Sequence, residues 1–206
     1  MSSTILEQVS AYYTNKINEF GVSPRGVDWN SEQSQTMRFE KLCNLLPSDQ
    51  RFSLLDFGCG YGALYDFLKP KYKAISYTGY DISEKMIEAA QAKYPDSNCV
   101  WIHGNPTLLS EFDYVVASGI FNVKLDQTYG DWQDYIEKTI DQMNVLSNKG
   151  FSFNILTKYS DAEFMKDHLY YADPCYYFDY CKTKFAKNIA LLHDYDLYEF
   201  TILVRK

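Results

Sequence analysis

Apolar residues recur at helical spacing over residues 3 to 20, through Ile5, Val9, Tyr12, Tyr13 and Ile17, and over residues 31 to 46, through Met37, Phe39, Leu42, Leu45 and Leu46. Between them GVSPRGVDWN, with its glycines and proline, reads as a loop. The pattern then shortens. RFSLLDFG predicts a buried strand closed by glycines, and a helical stretch with Leu64, Tyr65 and Leu68 follows it and stops before Pro70. The unit repeats: AISYTGYD predicts a strand, SEKMIEAAQAKY a helix opened by Ser83 with Glu84 in its first turn, and NCVWIH a third strand. FDYVVAS, WQDYIEKTIDQMNVL with a stop at Gly150, and FSFNILT predict a fourth strand, a helix and a fifth strand.

Such alternation predicts an α/β fold with a mainly parallel sheet and helices on both faces. NIALLH and LYEFTILVRK lie too close together for a helical crossover, so they predict a C-terminal antiparallel hairpin. No repeat, low-complexity tract or linker interrupts the 206 residues, which predicts a single domain.

Composition removes several function classes. At 46% hydrophobic and 23% charged the chain is ordinary for a globular protein, and no apolar run approaches the ~18 residues of a membrane span. Twenty basic against 27 acidic residues give a net charge of −7 with no basic block, so neither nucleic acid nor a membrane is an expected partner. The five cysteines are an odd number without CxxC or zinc-ligand spacing, and MSSTILEQVS lacks the charged and apolar regions of a secretory signal. Reduced thiols, no bound metal and a cytoplasmic location are expected.

The candidate chemistry starts at Leu54-Leu55-Asp56-Phe57-Gly58-Cys59-Gly60-Tyr61-Gly62, where the first strand turns into a helix. Glycines there let a ligand approach the backbone, and the helix N-terminus offers unpaired N–H groups. Gly58-x-Gly60-x-x-Ala63 also fits the loose dinucleotide fingerprint, so the glycines alone do not choose the cofactor. Asp56 argues for a ligand with a cationic group. Asp81, ending the second strand, is placed to accept hydrogen bonds from ribose hydroxyls, a role that nicotinamide enzymes share.

Through LLDFGCGYG, YTGYDIS, HGN after the third strand and FDYVVASGIFN, the chain resembles the class I S-adenosylmethionine-dependent methyltransferases over almost its whole length. The resemblance implies a Rossmann-like seven-stranded sheet whose last strand inserts antiparallel beside the sixth. It implies S-adenosylmethionine as cofactor and a small-molecule substrate. Gly58 and Gly60 would pack under the methionine moiety, Asp56 would face its ammonium, Asp81 would hold the ribose, and Ile82 would lie against the adenine. Asn105, where the family often has Asp, would accept from the adenine amino group, and Ser118 and Gly119 would line the methionine site. GVSPRGVDWNSEQSQTMRF is similar to the N-terminal cover of small methyltransferases of surface-polysaccharide and other small-molecule pathways. That implies a helical cover over residues 1–50, Trp29 closing on the site, and Arg38 pairing with the cofactor carboxylate.

Aromatics are the compositional excess, 35 of 206 residues, and eight of them fall between Tyr159 and Tyr180. Residues 159–182 are therefore expected to form a substrate-side insertion in which Tyr170, Tyr171 and Tyr176 meet the acceptor. Of the three histidines, His168 lies in this segment and is the candidate general base. Asp173-Pro174-Cys175-Tyr176 superficially matches the DPPY signature of amino-group DNA methyltransferases, but that signature belongs after the fourth strand, where this chain has Ser118-Gly119-Ile120-Phe121. The expected reaction is methylation of a sugar or sugar-nucleotide hydroxyl. The alternatives are a cofactor-binding protein without transfer activity and an NAD-dependent oxidoreductase.

Overall fold

The computed structural model describes residues 2–95, 98–106 and 109–206. Its strands are β1 (Phe52–Phe57), β2 (Ile75–Asp81), β3 (Val100–His103), β4 (Phe112–Ala117), β5 (Ser147–Leu156), β6 (Asn188–Leu192) and β7 (Glu199–Arg205). The helices are α1 (Ser2–Phe20), α2 (Glu32–Cys43), α3 (Ala63–Leu68), α4 (Glu84–Lys93), α5 (Tyr129–Leu146) and α6 (Pro174–Lys184). The strands form one sheet in the order β3-β2-β1-β4-β5-β7-β6, with β7 antiparallel to both its neighbours and the other pairs parallel. This is the Rossmann-like seven-stranded sheet with a C-terminal antiparallel hairpin that the pattern and the resemblance predict.

Side chains alternate across a strand, and this separates two cores. Leu55 and Val115 point to the face covered by α5, together with Trp132, Ile136 and Ile140, whereas Leu54 and Val116 point to the other face with Phe39 of α2 and Leu64 of α3. Short polar side chains open the helices: Ser31, Ser83 and Thr128 each accept a backbone N–H of the first turn of α2, α4 and α5.

Three sequence expectations are corrected. α5 ends at Leu146 and β5 begins at Ser147, so Gly150 lies inside the strand. An added Cβ there would sit 2.2 Å from the Val204 carbonyl oxygen of β7, so this glycine serves strand approach and does not stop a helix. The aromatic segment is not one insertion: Asp173 caps α6 by accepting from Cys175 N–H, Pro174 occupies its first turn, and α6 then packs on β6 and β7 as an ordinary crossover helix. The residues preceding β1 also divide. α1 and the 3-10 turn Pro24–Val27 contact each other, while α2 packs against the sheet at β4, β5 and β7.

Candidate active site

Chain order reverses between β1, which continues to β2 on one side, and β4 on the other. Ligands of open α/β sheets bind beyond the carboxyl ends of the strands at such a point. Here the structure has a cleft of about 810 Å³, open mouth included, whose floor is the β1–α3 turn, with Asp56, Gly58, Gly60, Asp81 and Ile82 in its lining and Ser118 and Gly119 on the β4 side. Tyr13 of α1, Val27 and Trp29 close its other side.

The turn is held from below. Gly58 and Cys59 donate their N–H groups to the Tyr80 carbonyl at 2.7 and 2.9 Å. Gly58, Gly60 and Gly62 all have positive φ, a conformation that a Cβ would strain. Asp81 ties this turn to the next: Oδ2 accepts from Gly60 N–H and Oδ1 from Ser83 N–H, both at 2.8 Å. Each oxygen keeps acceptor capacity toward the cleft.

Asp56 and Asp81 are both buried. Burial pushes the Asp56 carboxyl up to about 7 against the hydroxyl of Tyr77, which donates to it at 2.5 Å, and pushes Asp81 up to about 6 against its backbone donors. No ion pair to either carboxylate occurs among the described residues. Two buried acids facing a cleft in this way suit a ligand that brings its own cation and hydroxyl donors.

A second cleft adjoins the first and shares Tyr13, Val27, Trp29 and Gly119 with it. Its walls are polar and aromatic, including Lys16, Asn122, Lys166, His168, Tyr171 and Tyr198. The Trp29 ring lies so close to Gly119 that a Cβ there would stand 2.2 Å from it. On Trp29 stacks the Arg38 guanidinium, 4.0 Å from the ring centroid. A buried chain continues from it: Arg38 Nε donates to Glu199 at 2.8 Å, Asn154 donates to the other Glu199 oxygen at 2.9 Å, and Gly119 N–H donates to Asn154 at 2.7 Å. Burial raises the Glu199 carboxyl, and the Arg38 charge opposes that rise.

Among the described residues three buried side-chain atoms lack a hydrogen-bond partner, and two of them border these clefts: Arg38 Nη1 and Ser118 Oγ. The resemblance implies that Arg38 pairs with the cofactor; in the structure Arg38 lines the second cleft and not the first, its Nε is engaged by Glu199, and its Nη1 is buried without a partner.

Comparison with known proteins decides the family. A family model described as a methyltransferase domain matches residues 55–147. A Mycobacterium tuberculosis (strain ATCC 25618 / H37Rv) protein named as a methyltransferase, Rv1506c, is 53% identical over 156 residues, which span 75% of this chain and 93% of that protein. The chain belongs to the class I S-adenosylmethionine-dependent methyltransferases. The fold agrees. Magnesium protoporphyrin IX methyltransferase from Synechocystis PCC 6803, solved with bound SAH, superposes with a TM-score of 0.64 at 15% identity over 84% of either chain. A chain of the complex between the Haloferax volcanii Trm112 methyltransferase activator and a methyltransferase gives 0.62 at 12% identity over 96% of either chain. The NAD alternative is thereby set aside.

The family's cofactor is S-adenosylmethionine. The residues present fit it on three observations: a glycine turn that brings bare backbone to the cleft at Gly58 and Gly60, two buried carboxylates without a cation, and the unpartnered Ser118 Oγ and Arg38 Nη1. When bound, it supplies a methyl group on a sulfonium sulfur.

The remaining sequence candidates scatter. Asn105 lies in the exposed turn after β3 and is not in the lining of the first cleft. His168 and Tyr171 reach the second cleft, with Tyr171 Oη accepting from Lys166 N–H at 2.9 Å. Tyr170 does not face an acceptor: it is 4% exposed in the core, with its hydroxyl 3.2 Å from that of Tyr177. Tyr176 is on α6, where it donates to Glu137 of α5 at 2.5 Å, outside both clefts. Sequence reasoning missed Asn154 and Glu199, although a polar residue inside each of two apolar strand runs is the signal that marks them.

Proposed function

We propose that the protein methylates a hydroxyl of a sugar or sugar nucleotide that occupies the second cleft. The observation that carries this is the continuity of the two clefts at Trp29 and Gly119, with a polar and aromatic second cleft on the far side of that junction. In this reading Gly58 and Gly60 support the methionine moiety, Asp56 pairs with its ammonium, Ser118 Oγ binds its polar end, and Arg38, stacked on Trp29 where the two clefts join, meets its carboxylate from the side of the second cleft. Asp81 takes the ribose hydroxyls, while Ile82, which lines the cleft where Asn105 does not, lies against the adenine. Trp29 closes over the junction between donor and acceptor.

Methyl transfer is an in-line displacement, so the main task of the protein is positioning, and a hydroxyl acceptor gains from a base within reach. His168 is the histidine in the second cleft; His103 ends β3 and His193 packs on Tyr159 and Phe200. His168 carries that role and Tyr171 orders its loop. All five cysteines are free, which agrees with work in the cytoplasm.

The test is transfer of labelled methyl from S-adenosylmethionine to a panel of sugar nucleotides. Turnover of at least one is expected, and His168→Ala should reduce its maximal rate roughly 10²-fold with S-adenosylhomocysteine affinity unchanged. Tight cofactor binding without any turnover would favour a binding protein. Unchanged turnover in the variant would remove His168 as base.

A further inference from the structure

Two loops contribute side chains to the lining of the second cleft. One follows β5 and carries Phe164 at the end of a 3-10 turn, Ala162–Phe164; the other joins β6 to β7 and carries Tyr198. Their rings stand 6.0 Å apart and 32° from parallel. Phe164 is 58% exposed and Tyr198 43%, and Tyr159, in the same region, is 60% exposed. Three of the large hydrophobic side chains left in water are thus gathered at these two loops.

The pair is held in place. Thr157 N–H donates to the Tyr198 carbonyl at 3.0 Å, and the Tyr198 hydroxyl bonds Asp161, one residue before the turn that ends at Phe164. Farther along the same loop, Tyr170 N–H donates to the Asn122 carbonyl at 2.8 Å and Leu125 N–H to the His168 carbonyl at 3.0 Å, which fixes the loop against the segment after β4. An exposed pair of aromatic side chains that pack on each other, fixed in the lining of a cleft that also carries polar groups, offers a surface to a ligand.

We propose that Phe164 and Tyr198 are the platform on which a pyranose ring of the acceptor stacks, making them the residues that select its ring configuration. A pyranose presents a face of C–H bonds, made electropositive by the ring and hydroxyl oxygens, and that face complements the negative face of an aromatic ring. Its hydroxyl edge requires hydrogen-bonding groups around the platform, and Asn122, Ser160, Lys166 and Asp196 line the same cleft. A flat aromatic acceptor would use the rings but would bring no row of hydroxyls to the exposed Lys166 and Asp196 side chains beside them. The inference rests on the reading that the second cleft receives the acceptor.

The test is saturation-transfer NMR on the full chain with S-adenosylhomocysteine present, using a panel of methyl pyranosides and, as the rival class, indole and catechol. The wild type should saturate the C–H protons on one face of at least one pyranoside. Phe164→Ala and Tyr198→Ala should each weaken that binding roughly fivefold to tenfold, the size of one stacking contact. Tyr198→Phe, which keeps the ring, should restore it, and S-adenosylhomocysteine affinity by calorimetry should stay at the wild-type value in all three. Binding of indole or catechol in preference to every pyranoside overturns the proposal, as do pyranoside binding indifferent to both alanine variants and the absence of any pyranoside binding. Loss of S-adenosylhomocysteine binding in the wild type would instead count against the donor site, a separate result, because the pyranoside titration can be read without it.

Discussion

At Asp56 the physical situation is a carboxyl buried beside a second buried acid with only a tyrosine hydroxyl for company, which lifts it from its ordinary 3.8 to about 7. A cationic ligand holds the ionised form, so binding must release a proton wherever the free protein is still protonated. Cofactor affinity should therefore rise as pH increases from about 5.5 toward 7.5, by up to ~10-fold per unit for one linked proton, and then level off. Stability without ligand moves in the opposite sense. A raised carboxyl stabilises the fold below its unfolded value and loses that contribution as pH rises through the folded one, so the free protein should melt lower at pH 7.5 than at pH 5. Calorimetry in buffers of different ionisation enthalpy reads the proton release, and affinity flat across this window would refute the linkage. Asp81 differs because it also holds two backbone N–H groups. Asp81→Ala should weaken S-adenosylhomocysteine binding roughly 10- to 100-fold, as expected for lost hydrogen bonds to a charged group, and should also lower the melting temperature. Unchanged affinity in a folded variant would show that the ribose lies elsewhere.

At the scale of elements, β5 and β7 show how one residue sets a pairing. Gly150 pairs with Arg205 across the antiparallel ladder and brings β5 against the Val204 carbonyl, with Leu45 also within 3.2 Å of where a Cβ would be. Gly150→Ala must displace backbone, so a loss of roughly 2–3 kcal/mol and a melting temperature lower by roughly 5–10 °C are expected. A thermal melt checks it, and a wild-type value would mean that β7 can shift freely. The alternating pattern made the strands and most helices legible, because burial on two faces writes itself as apolar runs between amphipathic helices. The same pattern misread residues 159–182: tyrosines look alike in sequence whether they line a cleft, as at Tyr171, or bond a neighbouring helix, as at Tyr176.

Over the whole molecule, Arg38 and Glu199 join α2 to β7 across 161 residues of chain, and through Asn154 they reach the Gly119 N–H at the junction of the two clefts. Removing one partner of a buried ion pair strands the other charge. Glu199→Ala should cost roughly 3–5 kcal/mol and lower the melting temperature by roughly 10 °C, with Glu199→Gln milder. It should also loosen Trp29, readable as a red-shifted and more quenchable tryptophan emission relative to a Trp29→Phe control. A stable variant with unchanged emission would disconnect the ion pair from the cover.

The order of the strands and of the helices through α5, the glycine turn and the acid that ends β2 are legible in the sequence, because each depends on neighbours within a few residues: an apolar period, a backbone that excludes a Cβ, a strand end. Asp56, two residues before the first glycine, points by that position to a cationic ligand, and the fold buries it in the cleft. That Arg38 Nε pairs with Glu199, that Tyr170 is core, and that Phe164 and Tyr198 come together from two loops follow from the packing of the folded chain. Those outcomes depend on contacts between distant segments, which arise when β7 inserts between β5 and β6 and which no local pattern encodes.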